Sequence, residues 1–192
     1  MRERHLGKII GIGMPKTGTA SLNRALQILG FKSTHGAGVR AQYIRGDYSF
    51  VDDFEAVTNL FEHMYPVIDV AYPGTRFIWT YRDMKSWLRS VSSAYKVRPE
   101  TELALRAWLA AFHHADFDRA IFHRVNETHK LGVDRYFHRR SRDILRMNVC
   151  AGEGWEKLCP FLGCPVPVGV PFPHANKKKE KLDVVCPDAT TS

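Results

Sequence analysis

The 192-residue chain has no apolar run long enough to cross a bilayer, no internal repeat and no long polar linker. A spanning helix needs about 20 consecutive apolar residues, so the expectation is a chain with no membrane partner, folded as a single domain over 1–192 with its core at about 8–176. Its start, Met-Arg-Glu-Arg-His, is charged without the apolar stretch of a secretory signal, which predicts a cytoplasmic protein. The four cysteines, Cys150, Cys159, Cys164 and Cys186, show no paired C-x-x-C spacing. Neither a disulfide framework nor a zinc site is favoured, and no metal is expected. Acidic residues are also short, 20 against 28 Lys and Arg, for a net charge of +8. Such a balance draws anionic ligands. The basic groups cluster at Arg135–Arg146, with Arg139, Arg140 and Arg142, and at Lys177–Lys181. No zinc-finger or RNA-recognition signature accompanies them, so no nucleic-acid partner is expected, and the lysine run reads as a solvated tail over 177–192.

What the chain does carry begins at Gly11-Ile-Gly-Met-Pro-Lys-Thr-Gly-Thr-Ala-Ser21. Lys8–Gly13, with Ile9, Ile10 and Ile12, has the short apolar run of a buried parallel strand. Beyond Ser21, Leu22, Ala25, Leu26 and Leu29 fall on one helical face, and Gly30 stands where a helix end favours a left-handed residue. The loop between them therefore opens a helix, whose unpaired N–H groups and dipole attract anions. Gly18 allows close backbone approach, while Lys16 adds charge and Thr17, Thr19 and Ser21 add hydroxyls. The NTPase loop G-x-x-x-x-G-K-[ST] places lysine directly after its second glycine. Here Thr19 holds that place and the lysine comes two residues before Gly18. Lys16 also stands where the dinucleotide fingerprint needs its last glycine.

A second strand-loop-helix follows. Thr75–Tyr81 reads as a strand rich in β-branched and aromatic residues, and Trp87, Leu88 and Val91 mark one face of the next helix. Arg82 would stand at the strand's end and Ser90 about two turns along that helix, so a guanidinium and a hydroxyl could converge on one phosphate. Further on, Leu103–Phe117, with Trp108 and Phe112, predicts a core helix. Asp118–Leu131 predicts a helix ending near Gly132, and Asp143–Val149 a core strand. A last helix should begin near Trp155 and be distorted or ended by Pro160.

Pro15-Lys16-Thr17-Gly18-Thr19, together with Arg82 and Ser90, resembles the sulfotransferases that use 3′-phosphoadenosine 5′-phosphosulfate. Gly152-Glu-Gly-Trp-Glu-Lys-Leu-Cys-Pro-Phe-Leu-Gly163 and Val170-Pro-Phe-Pro-His-Ala-Asn176 look like the C-terminal segments of a small subfamily that includes parasitic-worm drug-activating members. The resemblance implies an α/β fold, a three-layer sandwich with a central, mainly parallel sheet of the P-loop nucleotide-binding type. It implies that Pro15, Lys16, Thr17, Gly18, Thr19, Ala20 and Ser21 hold the 5′-phosphosulfate, that Arg82 and Ser90 hold the 3′-phosphate, and that Gly152, Gly154 and Trp155 lie near the adenine nucleotide. Lys16 would offset charge on the leaving adenosine 3′,5′-bisphosphate without a metal. A core role for Trp155 fits the sequence as well.

The acceptor side is less defined. It implies a small-molecule or carbohydrate acceptor and a general base. His35, after the first helix, is the first candidate. Ala56-Val-Thr-Asn-Leu60 resembles the stretch in which worm members carry an aspartate proposed as base, but here the residue is Asn59, which cannot serve. Asn59, Glu62 and His63 are the candidate acceptor contacts, and Glu62, His63 or Asp69 could supply a base; each could equally be an ordinary surface residue on a helix. Two other readings stay open, a P-loop nucleotide or small-molecule kinase and a noncatalytic nucleotide- or polyanion-binding module.

Overall fold

The computed structural model describes residues 7–96, 102–112, 114 and 116–175. Met1–His5, Asn176, the Lys177–Lys181 run and Cys186 lie outside the described residues. Five strands form one parallel sheet: β1 (Ile9–Gly11), β2 (Ser33–His35), β3 (Ala56–Thr58), β4 (Arg76–Thr80) and β5 (Ile144–Met147), in the order β2-β3-β1-β4-β5. The helices are α1 (Thr19–Ile28), α2 (Gly36–Ile44), α3 (Phe50–Asp53), α4 (Tyr65–Ala71), α5 (Met84–Tyr95), α6 (Glu102–Phe112), α7 (Arg119–Tyr136) and α8 (Trp155–Leu162).

Alternation along the strands divides the core between the two sheet faces. Ile9, Ala56, Ile78 and Met147 pack with Leu22 and Leu26 of α1 and Leu158 and Leu162 of α8. Their neighbours Ile10, Val57, Phe77 and Trp79 pack on the other face with α2, α3, α4 and α7. This is the three-layer α/β arrangement expected from the sequence. A third cluster, Trp87, Leu88 and Val91 with Phe112 and Phe122, fastens α5 to α6 and α7 beside the loop that follows β1.

Three helix boundaries differ from expectation. α6 stops at Phe112, and Phe117 lies outside it, its ring tilted against those of Tyr95 and Phe122. Asp118 then caps α7, its carboxylate accepting from Ile121 N–H at 2.8 Å. α7 runs through Gly132 to Tyr136 because Val133 and Phe137 are buried against the sheet, and that packing outweighs the weak helix propensity of one glycine. α8 continues two residues past Pro160, since Leu158 and Leu162 on its buried face hold the last turn, which ends at Gly163 with φ 67°.

Candidate active site

The loop after β1 lies at the C-terminal edge of the sheet's middle strand, the edge at which open α/β sheets bind ligands. Its ends are fastened by buried contacts. The Thr17 hydroxyl donates to Met14 O at 2.6 Å and meets the Thr80 hydroxyl at 2.8 Å, so it serves the fold rather than facing outward. Trp87 Nε1–H donates to Pro15 O at 2.9 Å. Gly18 has φ 101°, and a Cβ there would stand 2.8 Å from Val149 Cβ. Lys16, exposed, has φ 74°. Ala20 is half-buried at the start of α1.

Lys16, Gly18, Ser21, Arg82 and Ser90, drawn from two distant parts of the sequence, line one cleft of about 350 Å³. Arg82 is not paired with Asp83. Its Nε–H donates to Ser86 Oγ at 2.8 Å, which aims the guanidinium along α5, while Asp83 caps that helix by accepting from Ser86 N–H at 2.9 Å. Val149, Cys150 and His174 complete the lining and were missed from the sequence. Val149 and Cys150 belong to a 3-10 turn after β5, and the only advance signal for His174 was its place in the proline-rich segment. That segment is tied back by Ala175 N–H donating to Ser21 Oγ at 3.0 Å.

Gly152, Gly154 and Trp155 are not among the residues lining this cleft. Gly152 closes the 3-10 turn with φ 98°, and Gly154, buried, leaves room for Phe172. Trp155 is 7% exposed, and its Nε1–H donates to Val170 O at 2.8 Å. It therefore anchors the proline-rich segment to α8.

A smaller pocket of about 70 Å³ lies against the same loop, lined by Pro15 and Asn59 and by Arg40, Tyr43, Glu62 and Trp108. His35 ends β2 beside it. His35 Nε2 and the Thr19 hydroxyl are 3.2 Å apart, and that hydroxyl donates to Asn59 Oδ1 at 3.3 Å. Burial, with the Arg40 charge, lowers the His35 pKa and keeps its ring neutral at pH 7. Asn59, like Lys16, has positive φ, 66°. Glu62 is no surface residue: it is 4% exposed, burial pushes its carboxyl up to about 7, and its Oε2 has no hydrogen-bond partner. Its neighbour His63 lines a different cavity, with Arg124 and His129. Asp69 accepts from both Arg140 and the Tyr136 hydroxyl, and the Arg140 bonds hold its pKa below the usual value, so it is a structural anion and not a base.

Part of the basic cluster is likewise engaged. Arg140 pairs with Asp69 and Asp143, and Arg146 pairs with Asp134 at 2.9 Å while lying over the Trp79 ring. A further cavity of about 350 Å³, near Lys8 and Glu55, opens at the N-terminal ends of the strands, away from the loop. Among the described residues no group of three or more His, Cys, Asp or Glu converges to hold a metal, and no helix is long and apolar enough to cross a membrane.

A curated relative, Ava biosynthesis cluster protein M of Aspergillus versicolor, is 26% identical over 217 residues, covering 87% of this chain and 80% of the relative. The family model described as the sulfotransferase domain matches residues 8–181, and the chain belongs to that family.

Proposed function

We propose that the chain transfers a sulfuryl group from 3′-phosphoadenosine 5′-phosphosulfate to a hydroxyl or amine of a small-molecule or carbohydrate acceptor. The observation that carries this reading is the convergence of Lys16, Gly18 and Ser21 with Arg82 and Ser90 on one cleft. Two separate cationic groups suit a donor phosphorylated at both the 5′ and 3′ positions. The donor, when bound, supplies a sulfuryl group on a phosphate anhydride. Lys16 then offsets the charge that grows on the 5′-phosphate, and the N-terminus of α1 adds its dipole, a preorganised electrostatic contribution. Arg82, steadied by Ser86, and Ser90 hold the 3′-phosphate. Family membership supports the transferase class, and the biosynthesis-cluster name of the relative supports a small acceptor.

Calorimetry tests the donor site. Adenosine 3′,5′-bisphosphate should bind more tightly than ADP or ATP, and Arg82→Ala should weaken the bisphosphate by about 10-fold or more while scarcely changing ADP, as loss of a charge-assisted bond worth about 1.5–3 kcal/mol requires. Equal or tighter binding of ATP by the unaltered protein would sink the proposal and revive the kinase reading.

A further inference from the structure

We propose that Glu62 is the general base of this transfer and that its pocket takes a hydroxyl carried on an aromatic ring. This rests on the sulfotransferase reading and fills in the acceptor side. Pro15 lines the Glu62 pocket and Lys16 the donor cleft, so consecutive residues of one loop separate the two spaces. An acceptor oxygen in the small pocket would face the group being transferred.

The pocket's shape and lining select the acceptor. At about 70 Å³ it is less than half the size of a cavity of about 150 Å³ that takes a benzene molecule, so it admits only the reacting end of a ligand. Tyr43, Trp108 and Phe112 in the lining surround that reacting end with aromatic side chains, which suits a hydroxyl borne directly on a ring. Arg40 in the same lining disfavours an ammonium.

Glu62 is the group in that lining able to take a proton. Buried polar atoms are nearly always hydrogen-bonded, yet Oε2 has no partner, an arrangement a scaffold carboxyl would avoid and a base awaiting an acceptor requires. Its pKa, raised to about 7 by burial, is near the value at which general-base catalysis is most effective around neutrality. The groups around it are Arg40 and Tyr43 from α2, with Tyr48 behind Tyr43, and His35 at the end of β2; α6 contributes Trp108, Ala110 and Phe112, none of which titrates. Burial and the Glu62 charge push Tyr43 up to about 12, so its phenol stays neutral, its hydroxyl donating to Met64 Sδ at 3.8 Å. His35 is less suited. In the tautomer that carries its proton on Nε2, His35 donates to the Thr19 hydroxyl, which in turn donates to Asn59, and Nε2 then has no lone pair for an acceptor. His35 therefore positions Thr19.

In the step itself, the bond from the acceptor oxygen to sulfur forms as the bond from sulfur to the 5′-phosphate oxygen breaks. The electron pair leaves on the phosphate, and the acceptor's proton passes to Glu62 Oε2 and then to solvent, giving an aryl sulfate and the bisphosphate.

The test uses the full chain with 3′-phosphoadenosine 5′-phosphosulfate and naphthol, with benzyl alcohol and benzylamine as comparison acceptors. The expected result is naphthyl sulfate formation whose kcat/KM rises with pH to a plateau through an inflection near 7. Glu62→Gln should lower kcat by about 100-fold or more and abolish the inflection, Glu62→Asp should fall between, and His35→Gln should keep the inflection. Bisphosphate affinity, unchanged in the two Glu62 variants, shows that the fold survives. A Glu62→Gln enzyme with the inflection intact overturns the proposal, as does turnover confined to the amine or the benzylic alcohol. Wild-type protein that binds the bisphosphate but sulfates no naphthol overturns this proposal alone, whereas failure to bind the bisphosphate removes the sulfotransferase reading beneath it.

Discussion

Lys16 sits in the left-handed region at φ 74°, where a residue with a Cβ gives up about 1–2 kcal/mol, and it is exposed at the mouth of the cleft. Strain of this kind is borne where the side chain's position serves chemistry. Under the proposed function Lys16 acts on charge that exists fully only as the donor's bond breaks, so Lys16→Ala should lower kcat by about 100-fold or more while the KM for the donor changes little. Steady-state kinetics in both substrates checks this, and a rise in KM with kcat preserved would reduce Lys16 to a binding group. The displaced lysine was legible in the sequence because a strand, a glycine-bearing loop and a helix start are consecutive and each leaves a local signal. Glu62 was named from the sequence but its burial was not foreseen. Nothing in Leu60-Phe-Glu-His-Met64 says that the glutamate turns inward while His63 remains exposed, since α2 and α6, distant in the chain, build the pocket. The Thr17 hydroxyl erred the other way: it looked like a phosphate ligand and is bonded inside the fold.

The elements that hold the site were read well where apolar period and turn chemistry coincide, as in β1, α1, β4 and α5. They were read poorly where packing overrode a breaker, as at Gly132 in α7 and Pro160 in α8. The 3-10 turn Val149–Ala151 escaped notice because three residues carry no periodicity, yet it forms one wall of the cleft. Its contact with the loop is close enough to test. Gly18 combines φ 101° with a would-be Cβ 2.8 Å from Val149 Cβ, so Gly18→Ala must both strain the backbone and push the turn away. The variant should lose about 1–2 kcal/mol of stability in denaturant titration and bind adenosine 3′,5′-bisphosphate several-fold more weakly. Stability and affinity both equal to wild type would mean that the loop and turn are not in contact as described.

At the scale of the whole molecule, two buried groups set opposing slopes in the pH dependence of stability. Burial, aided by the nearby His63, lowers His129 from 6.5 to about 4, so between these values the unfolded chain takes up a proton that the folded chain refuses. Stability from this source falls as pH falls, and the depressed carboxyl of Asp69 adds to the loss in acid. Glu62 acts in reverse. Its pKa rises from 4.5 to about 7 on folding, so the folded chain keeps a proton that the unfolded chain has lost, and stability falls as pH rises through this window. Where the two windows overlap the slopes largely cancel, and the chain should lose stability toward both the acid and the alkaline side. Glu62→Gln removes the alkaline arm. From about pH 5 to 8 the glutamine variant should gain on the order of 2–3 kcal/mol relative to the wild type, whose own net change is small because the His129 slope offsets that of Glu62. Urea titrations of both proteins at the two pH values measure the difference, and parallel profiles would show that Glu62 is not held protonated by the fold. A variant that is more stable at pH 8 and yet inactive is the outcome expected if the chain keeps an unpaired buried carboxyl for the chemistry it performs, at a cost to its own stability.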